Sequence, residues 1–285
     1  MNNIIEVRGL RKNYSAFTLN DISFDVPNGY IMGFIGPNGA GKTTTLKSVL
    51  GIVQADSGSI RMFGHGDGSV QNEEIGVVMD SPMYVDDWKV SDVEQAVSSF
   101  YKQWDKELYA GCLKRFGLDT KKKIKELSRG MKIKLQIAAA LSHNARLLIL
   151  DEPTSGLDPV ARDEICNLLR EFVTDENKSV LFSTHITADL EKTADYIVFI
   201  VNGDIVFTGA KDDLLEKYAR VTGGPQDLNA EQKKLVIGYR EHGTGFDGMV
   251  EAENIGKLPN VVLVEEISMD EIIIFMNKQG AEING

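Results

Sequence analysis

In the first eighty positions the apolar residues fall in short runs separated by turn residues. Residues 4–7 and the alternating stretch 17–26 predict strands, with Pro27-Asn28-Gly29 as the turn that follows. Residues 30–35 form an apolar run between two glycines, the pattern of a buried strand. Residues 36–41 are glycine-rich, and the spacing over 42–52 is helical, so this segment reads as strand, tight loop, helix. Further strands are predicted at 59–63 and 75–79. From position 90 to about 142 the period changes: Val93, Val97, Phe100, Tyr101 and Trp104 recur at helical spacing, as do Leu108, Cys112, Leu113 and Phe116. Such a stretch without strands predicts an inserted helical subdomain. Strands return at 147–150, 180–184 and 196–201, and Asn202-Gly203-Asp204 is a hairpin turn into 205–207. Strands alternating with helices predict an α/β core with a largely parallel sheet. Residues 211–220 predict a helix, and Val221-Thr222-Gly223-Gly224-Pro225 a linker. A strand at 261–264 and a helix start at Ser268-Met269-Asp270-Glu271 then predict a small appended α/β unit over 221–285. The lysine run 121–125 reads as a solvated helix end or loop.

Composition narrows the class. The 285 residues are 42% hydrophobic and 26% charged, ordinary for a globular protein. The formal net charge of −11 argues against a nucleic-acid partner, because phosphate contacts dominate that affinity. The longest apolar runs are strand-length, whereas a membrane span needs about 20 residues, so the chain is not expected to cross a bilayer by itself. Its start, MNNIIEVRGL, shows no secretory signal. Cys112 and Cys166, far apart in helical contexts, read as reduced thiols.

Two motifs carry chemistry. Gly36-Pro37-Asn38-Gly39-Ala40-Gly41-Lys42-Thr43 fits G-x-x-x-x-G-K-[ST] between a predicted strand and helix. The glycines let successive N–H groups turn toward phosphate oxygens, and the helix adds its positive end. Lys42 reaches the β- and γ-phosphates, the Thr43 hydroxyl is placed for Mg²⁺, and Thr44 adds a phosphate contact. The second motif is the apolar strand 147–150 ending in Asp151-Glu152. Asp151 can hold Mg²⁺ through water. Glu152, directed differently by strand alternation, can polarise an attacking water.

The stretches around these motifs are more specific. Leu127-Ser128-Arg129-Gly130-Met131 opens a helix just before the acidic strand. It resembles the LSGGQ signature of ABC-type ATPases, with arginine and methionine where that family has glycine and glutamine. Ser155-Gly156-Leu157-Asp158 resembles the family's D-loop. His185 falls where the family has its switch histidine, and Tyr14 where it stacks an aromatic on adenine. The resemblance covers residues 1 to about 212. It implies a P-loop NTPase core with a mostly parallel sheet, an antiparallel β subdomain and a helical subdomain over about 81–141. It also implies ATP and Mg²⁺ as ligands, and sites shared across a dimer, in which Ser128 and Gly130 of one subunit meet the γ-phosphate held by the other. Where the family has glutamine, residues 75–79 lead instead to Asp80, then Ser81-Pro82; Gln71 lies too early. Asp80 is either a Mg²⁺ ligand, direct or through water, or the cap of a following helix. The acidic replacement, with Trp104-Asp105, resembles the branch of bacterial exporters for antibiotics and drugs.

The resemblance therefore implies an ATP-hydrolysing transporter subunit, peripheral on the cytoplasmic face of the cell membrane. Its partners would be a separate integral membrane permease and a second ATP-binding subunit. Tyr84, Val85 and Trp88 either line the groove that receives the permease or pack locally. A non-transport ABC-type ATPase is the alternative, but such proteins usually carry two cassettes or a long coiled coil, and neither is present. The segment 221–285 carries no recognisable catalytic spacing and reads as regulatory or dimer-supporting.

Overall fold

The structure, a computed structural model, describes residues 2–66, 72–80 and 83–283. Gln71, Ser81 and Pro82, named above around Asp80, lie outside the described residues. The chain forms two compact units, Met1–Val206 and Phe207–Gly285.

In the first unit β1 (Asn3–Tyr14) pairs antiparallel with β2 (Phe17–Pro27) and β4 (Ser57–Met62), giving a sheet of order β2-β1-β4. A second sheet contains β3 (Ile31–Ile35), β5 (Ile75–Val78), β6 (Leu147–Asp151), β7 (Ser179–Thr184), β8 (Tyr196–Val201) and β9 (Asp204–Ala210), in the order β5-β6-β7-β3-β8-β9. The pairs β5–β6, β6–β7, β7–β3 and β3–β8 are parallel. Every residue of β3, β6 and β7 is buried, as the unbroken apolar runs predict. The two sheets share one core, in which Leu10, Ile22 and Phe24 meet Met32, Phe34 and Leu46. The Phe24 and Phe34 rings lie 5.5 Å apart.

The register matters most for function. Ile35 stands opposite Thr184, and Asp151 opposite Ser183. The carboxyl ends of β3, β6 and β7 therefore finish level, and whatever follows each strand gathers on one sheet edge. Three helices flank this sheet: α1 (Lys42–Val49), α5 (Pro159–Phe172) and α6 (Thr187–Thr193).

The helical insertion consists of α2 (Val90–Ser98), α3 (Lys106–Arg115) and α4 (Arg129–Leu141). Tyr101 stacks on His143 at 3.9 Å, and the Trp104 and Tyr109 rings lie 5.3 Å apart. The His143 ring nitrogens lie 3.2 and 3.1 Å from the Ala139 and Ile75 carbonyl oxygens, which ties the end of α4 to β5. Burial lowers the His143 pKa. Of the residues between Asp80 and α2, Tyr84 turns inward and burial raises its hydroxyl pKa, Trp88 is half-buried, and Val85 is exposed. In the lysine run Lys121, Lys122 and Lys125 are exposed but Ile124 is buried, so the run is not simply solvated. Lys125 and Lys123 pair with Asp87 at 2.7 and 3.4 Å, and the Lys125 and Ile124 amides donate to the Asp86 and Trp88 carbonyls.

The second unit holds α7 (Lys211–Lys217), β10 (Tyr218–Gly223), α8 (Ala230–Lys233), β11 (Ile237–His242), β12 (Gly245–Glu251), β13 (Leu263–Glu265) and α9 (Met269–Ile283). Its antiparallel sheet runs β11-β12-β10-β13, with α9 packed on β11 and β12. The expected linker at 221–225 is corrected here. Val221 lies in an inner strand of this sheet, fully buried with Val236, Phe246 and Val250. The glycines end a strand: the Gly224 amide donates to Asp227 at 2.5 Å and turns the chain. Both cysteines are free and buried, and burial pushes both thiols up.

The assignment of Val221 to a core is open to test. Val221→Asp should destabilise the second unit by more than about 3 kcal/mol, because it buries an unpaired carboxylate. Urea unfolding reads this, whereas a linker residue would register no change.

Candidate active site

After Ile35 the chain leaves the sheet through a loop whose shape only glycine permits at two points. A Cβ at Gly36 would lie 2.2 Å from the Ile200 carbonyl oxygen, and Gly41, which precedes α1, has φ +110°. The loop is pinned by the Gly203 amide donating to Ala40 O at 3.1 Å and by the Ala40 amide donating to Pro37 O at 3.2 Å. A cleft of 180 Å³ opens over it, lined among others by Phe17, Asn38, Gly39, Lys42, Thr43, Thr44 and Glu152.

The level strand ends bring the predicted polar residues together. Lys42, only 6% exposed, donates from Nζ to Gly36 O at 2.8 Å and to Pro37 O at 3.2 Å, and stands 3.3 Å from Glu152 Oε1. The Thr43 hydroxyl lies 2.9 and 3.1 Å from the two Asp151 carboxylate oxygens. Ser183 donates to Asp151 Oδ1 at 2.6 Å and accepts from the Glu152 amide at 3.1 Å. Glu152 itself has φ +51°, a strained backbone that directs its side chain away from Asp151 and across the loop. Its Oε2 lies 2.7 Å from His185 Nδ1. One carboxylate is thus buried between hydroxyls, and the next spans a lysine and a histidine.

Ser128, Gly130 and Asp80 are placed in a second cluster. Ser128 caps α4, accepting from the Met131 amide at 3.3 Å. Gly130 abuts Leu157: a Cβ there would lie 3.1 Å from Leu157 Cδ2. Asp158 caps α5, accepting from the Val160 and Ala161 amides, both at 3.0 Å. The Asp80 carboxylate is held by Arg129, whose guanidinium donates to it. Asp80 thus sits at the signature tip, while the Thr43 hydroxyl and Ser183 hold Asp151. Tyr14 is exposed at the end of β1, paired with Phe17 and with Lys12 at 5.8 Å over its ring.

Three residues escaped the sequence reading. Ser183 shows itself only through the β6–β7 register. Phe17, three positions after Tyr14, supplies the aromatic wall of the cleft. In the sequence, Arg129 stands out only as a departure from the signature.

Comparison with known proteins gives the family. The family profile described as ABC transporter matches residues 19–155. The lantibiotic transport ATP-binding protein SrtF of Streptococcus pyogenes is 34% identical over 206 residues, 71% of this chain and 89% of that protein. The bacitracin transport ATP-binding protein BcrA of Bacillus licheniformis is 30% identical across 99% of this chain and 96% of its own length. Among solved structures, an ATP-binding subunit of an ABC transporter superposes with a TM-score of 0.67 at 28% identity, covering 74% of this chain and 91% of that one.

Ser183→Ala would remove the donor to a buried carboxylate and one of the two acceptors of the Glu152 amide; the other, the main-chain carbonyl of residue 183 at 3.1 Å, stays. ATP turnover should fall roughly tenfold or more, as for loss of a hydrogen bond to a charged group. Unchanged steady-state turnover would mean that the strand register alone positions both acids.

Proposed function

The chain belongs to the ABC transporter family, and on that premise we propose that it is the ATP-binding and ATP-hydrolysing subunit of an exporter. The observation that carries the catalytic reading is the Glu152 carboxylate, 2.7 Å from His185 and 3.3 Å from Lys42 at the mouth of the phosphate loop. Bound ATP lays its phosphates along Gly36, Pro37, Asn38, Gly39, Ala40 and Gly41, with Thr43 and Thr44 at the helix start and the adenine near Tyr14 and Phe17. The β- and γ-phosphates draw Lys42 from its loop carbonyls. Glu152 accepts a proton from the attacking water, and His185 fixes the direction of that carboxylate while its other ring nitrogen faces the substrate.

The donor set suits a hard cation. Asp151 is 3% exposed, its partners are the Thr43 and Ser183 hydroxyls, and among the described residues it has no ion pair. A buried carboxylate beside a hydroxyl, both oxygen donors, fits Mg²⁺. Thr43 and Asp151 would hold it. When bound, Mg²⁺ neutralises charge on the β- and γ-phosphates.

Ser128 and Gly130 contact Met131 and Leu157 and are not among the residues that line the cleft over the phosphate loop, which supports the reading that they complete the site of a second ATP-binding subunit. No helix among the described residues is long and apolar enough to cross a membrane, so the transport path belongs to a separate permease. The exposed apolar residues Met83, Val85, Phe100 and Leu108 of the helical insertion supply a surface for it; Phe100 is 79% exposed. Such a surface supports a peripheral location, on the cytoplasmic face of the membrane. The relatives named for lantibiotic and bacitracin transport support a drug, antibiotic or peptide as the cargo, and favour a transporter over a non-transport ATPase.

Glu152→Gln keeps the shape of the side chain and loses its basicity. It should bind ATP, fail to turn it over, and form an ATP-dependent dimer on gel filtration. A variant that hydrolyses normally removes Glu152 from its role. Lys42→Ala should lose most ATP affinity in equilibrium titration, because the triphosphate keeps no ammonium partner; unchanged affinity would contradict its assignment.

A further inference from the structure

Two departures from the family's sequence pattern meet in space. Asp80 follows β5, and Arg129, 49 positions later, is the first residue of α4; the Arg129 guanidinium donates to the Asp80 carboxylate. The same arginine passes over Gly156. A Cβ at Gly156 would lie 3.4 Å from both Cδ and Nε of Arg129, and Gly156 has φ +72°. One side chain therefore touches the end of β5 and the turn before α5 while standing between Ser128 and Gly130. The flanking segments are bound to each other as well: Lys132 pairs with Asp86 at 3.5 Å and Lys125 with Asp87 at 2.7 Å. The Ile124 and Lys125 amides donate to the Trp88 and Asp86 carbonyls, and these main-chain bonds join the two segments independently of the Arg129 side chain. Both ends of the Asp80–Arg129 pair are 49% exposed. Exposed pairs of this kind contribute little, so their partners exchange readily.

We propose that Arg129 is a positioning residue whose guanidinium is exchanged between Asp80 of its own chain and the triphosphate held by a second subunit. The exchange presupposes the shared site proposed above, in which Ser128 and Gly130 face that triphosphate. The chemistry favours it: a guanidinium presents a planar fork of donors, and a triphosphate offers more charge and more acceptor oxygens than one carboxylate. Asp80 then acts as a brake. Its bond to Arg129 must be given up for closure, and it recaptures the guanidinium when the γ-phosphate leaves. No covalent bond changes.

Breaking the pair from either side separates exchange from bracing. In full-length Glu152→Gln protein with ATP and Mg²⁺, dimer formation is measured by sedimentation for Asp80→Asn, Arg129→Gln and the double variant. Exchange predicts opposite signs. Asp80→Asn frees Arg129 and should tighten the dimer about two- to fivefold, as for an exposed ion pair. Arg129→Gln should weaken it about tenfold or more, the scale of a lost charged hydrogen bond. The double variant should follow Arg129→Gln, and Arg129→Lys should recover part of the loss. Thermal unfolding without nucleotide should shift equally for the two single variants, since both lose the same pair. Shifts of the dimer in one direction for both would overturn the exchange; a brace, or service of Asp80 on the metal, predicts that result. If the Glu152→Gln protein itself stays monomeric with ATP, the shared site fails and the exchange with it. A dimer that forms but ignores Arg129 defeats the exchange alone.

Discussion

The Asp151 carboxylate, buried between the Thr43 and Ser183 hydroxyls, is the contact on which the site depends. Each partner comes from a different strand end or the helix beside it, so the contact exists only if β3, β6 and β7 finish level. The parallel register supplies that condition, and the full burial of all three strands holds it. A buried carboxylate with only hydroxyl partners is costly to keep. The same Ser183 hydroxyl that serves Asp151 also accepts the Glu152 amide, beside the Ser183 carbonyl, and the positive φ of Glu152 turns its side chain across the phosphate loop toward Lys42 and His185.

The electrostatics follow from a chain of net charge −11 that must receive a triphosphate. Long-range attraction does not help it, so the positive groups are local. The loop amides and the buried Lys42 lie within the chain's own site. Arg129, at the start of α4, is compensated by Asp80. Under the roles proposed above, the two cations would serve different events, nucleotide capture for Lys42 and subunit closure for Arg129.

The legible parts of the molecule were those written locally. The phosphate loop, the acidic strand end and the helical insertion each announce themselves within a dozen residues, through glycine spacing or apolar period. What escaped was set by distant partners. Ser183 gains its role from standing opposite Asp151, 32 positions away. The Asp80–Arg129 pair joins segments that no periodicity connects. Gly223 and Gly224 suggested a linker because the turn signal is local, whereas the burial of Val221 depends on strands β12 and β13, which pair on either side of it. In β11 and β12, glycines and charges such as Arg240 and Asp247, which pair with each other, mask the alternation expected of strands.

On the proposed shared site, each ATP lies between two chains, one giving Lys42 and the other Ser128 and Gly130. Mixing two inactive proteins tests it most directly. Lys42→Ala disables the phosphate loop. Ser128→Asp keeps an oxygen to cap α4 while placing a negative charge where the phosphate must approach. In a mixed dimer one site carries both defects and the other carries neither. With a shared site, ATPase activity, absent from each protein alone, should appear on mixing and rise with the mixed fraction. A mixture as inactive as its components would contradict it.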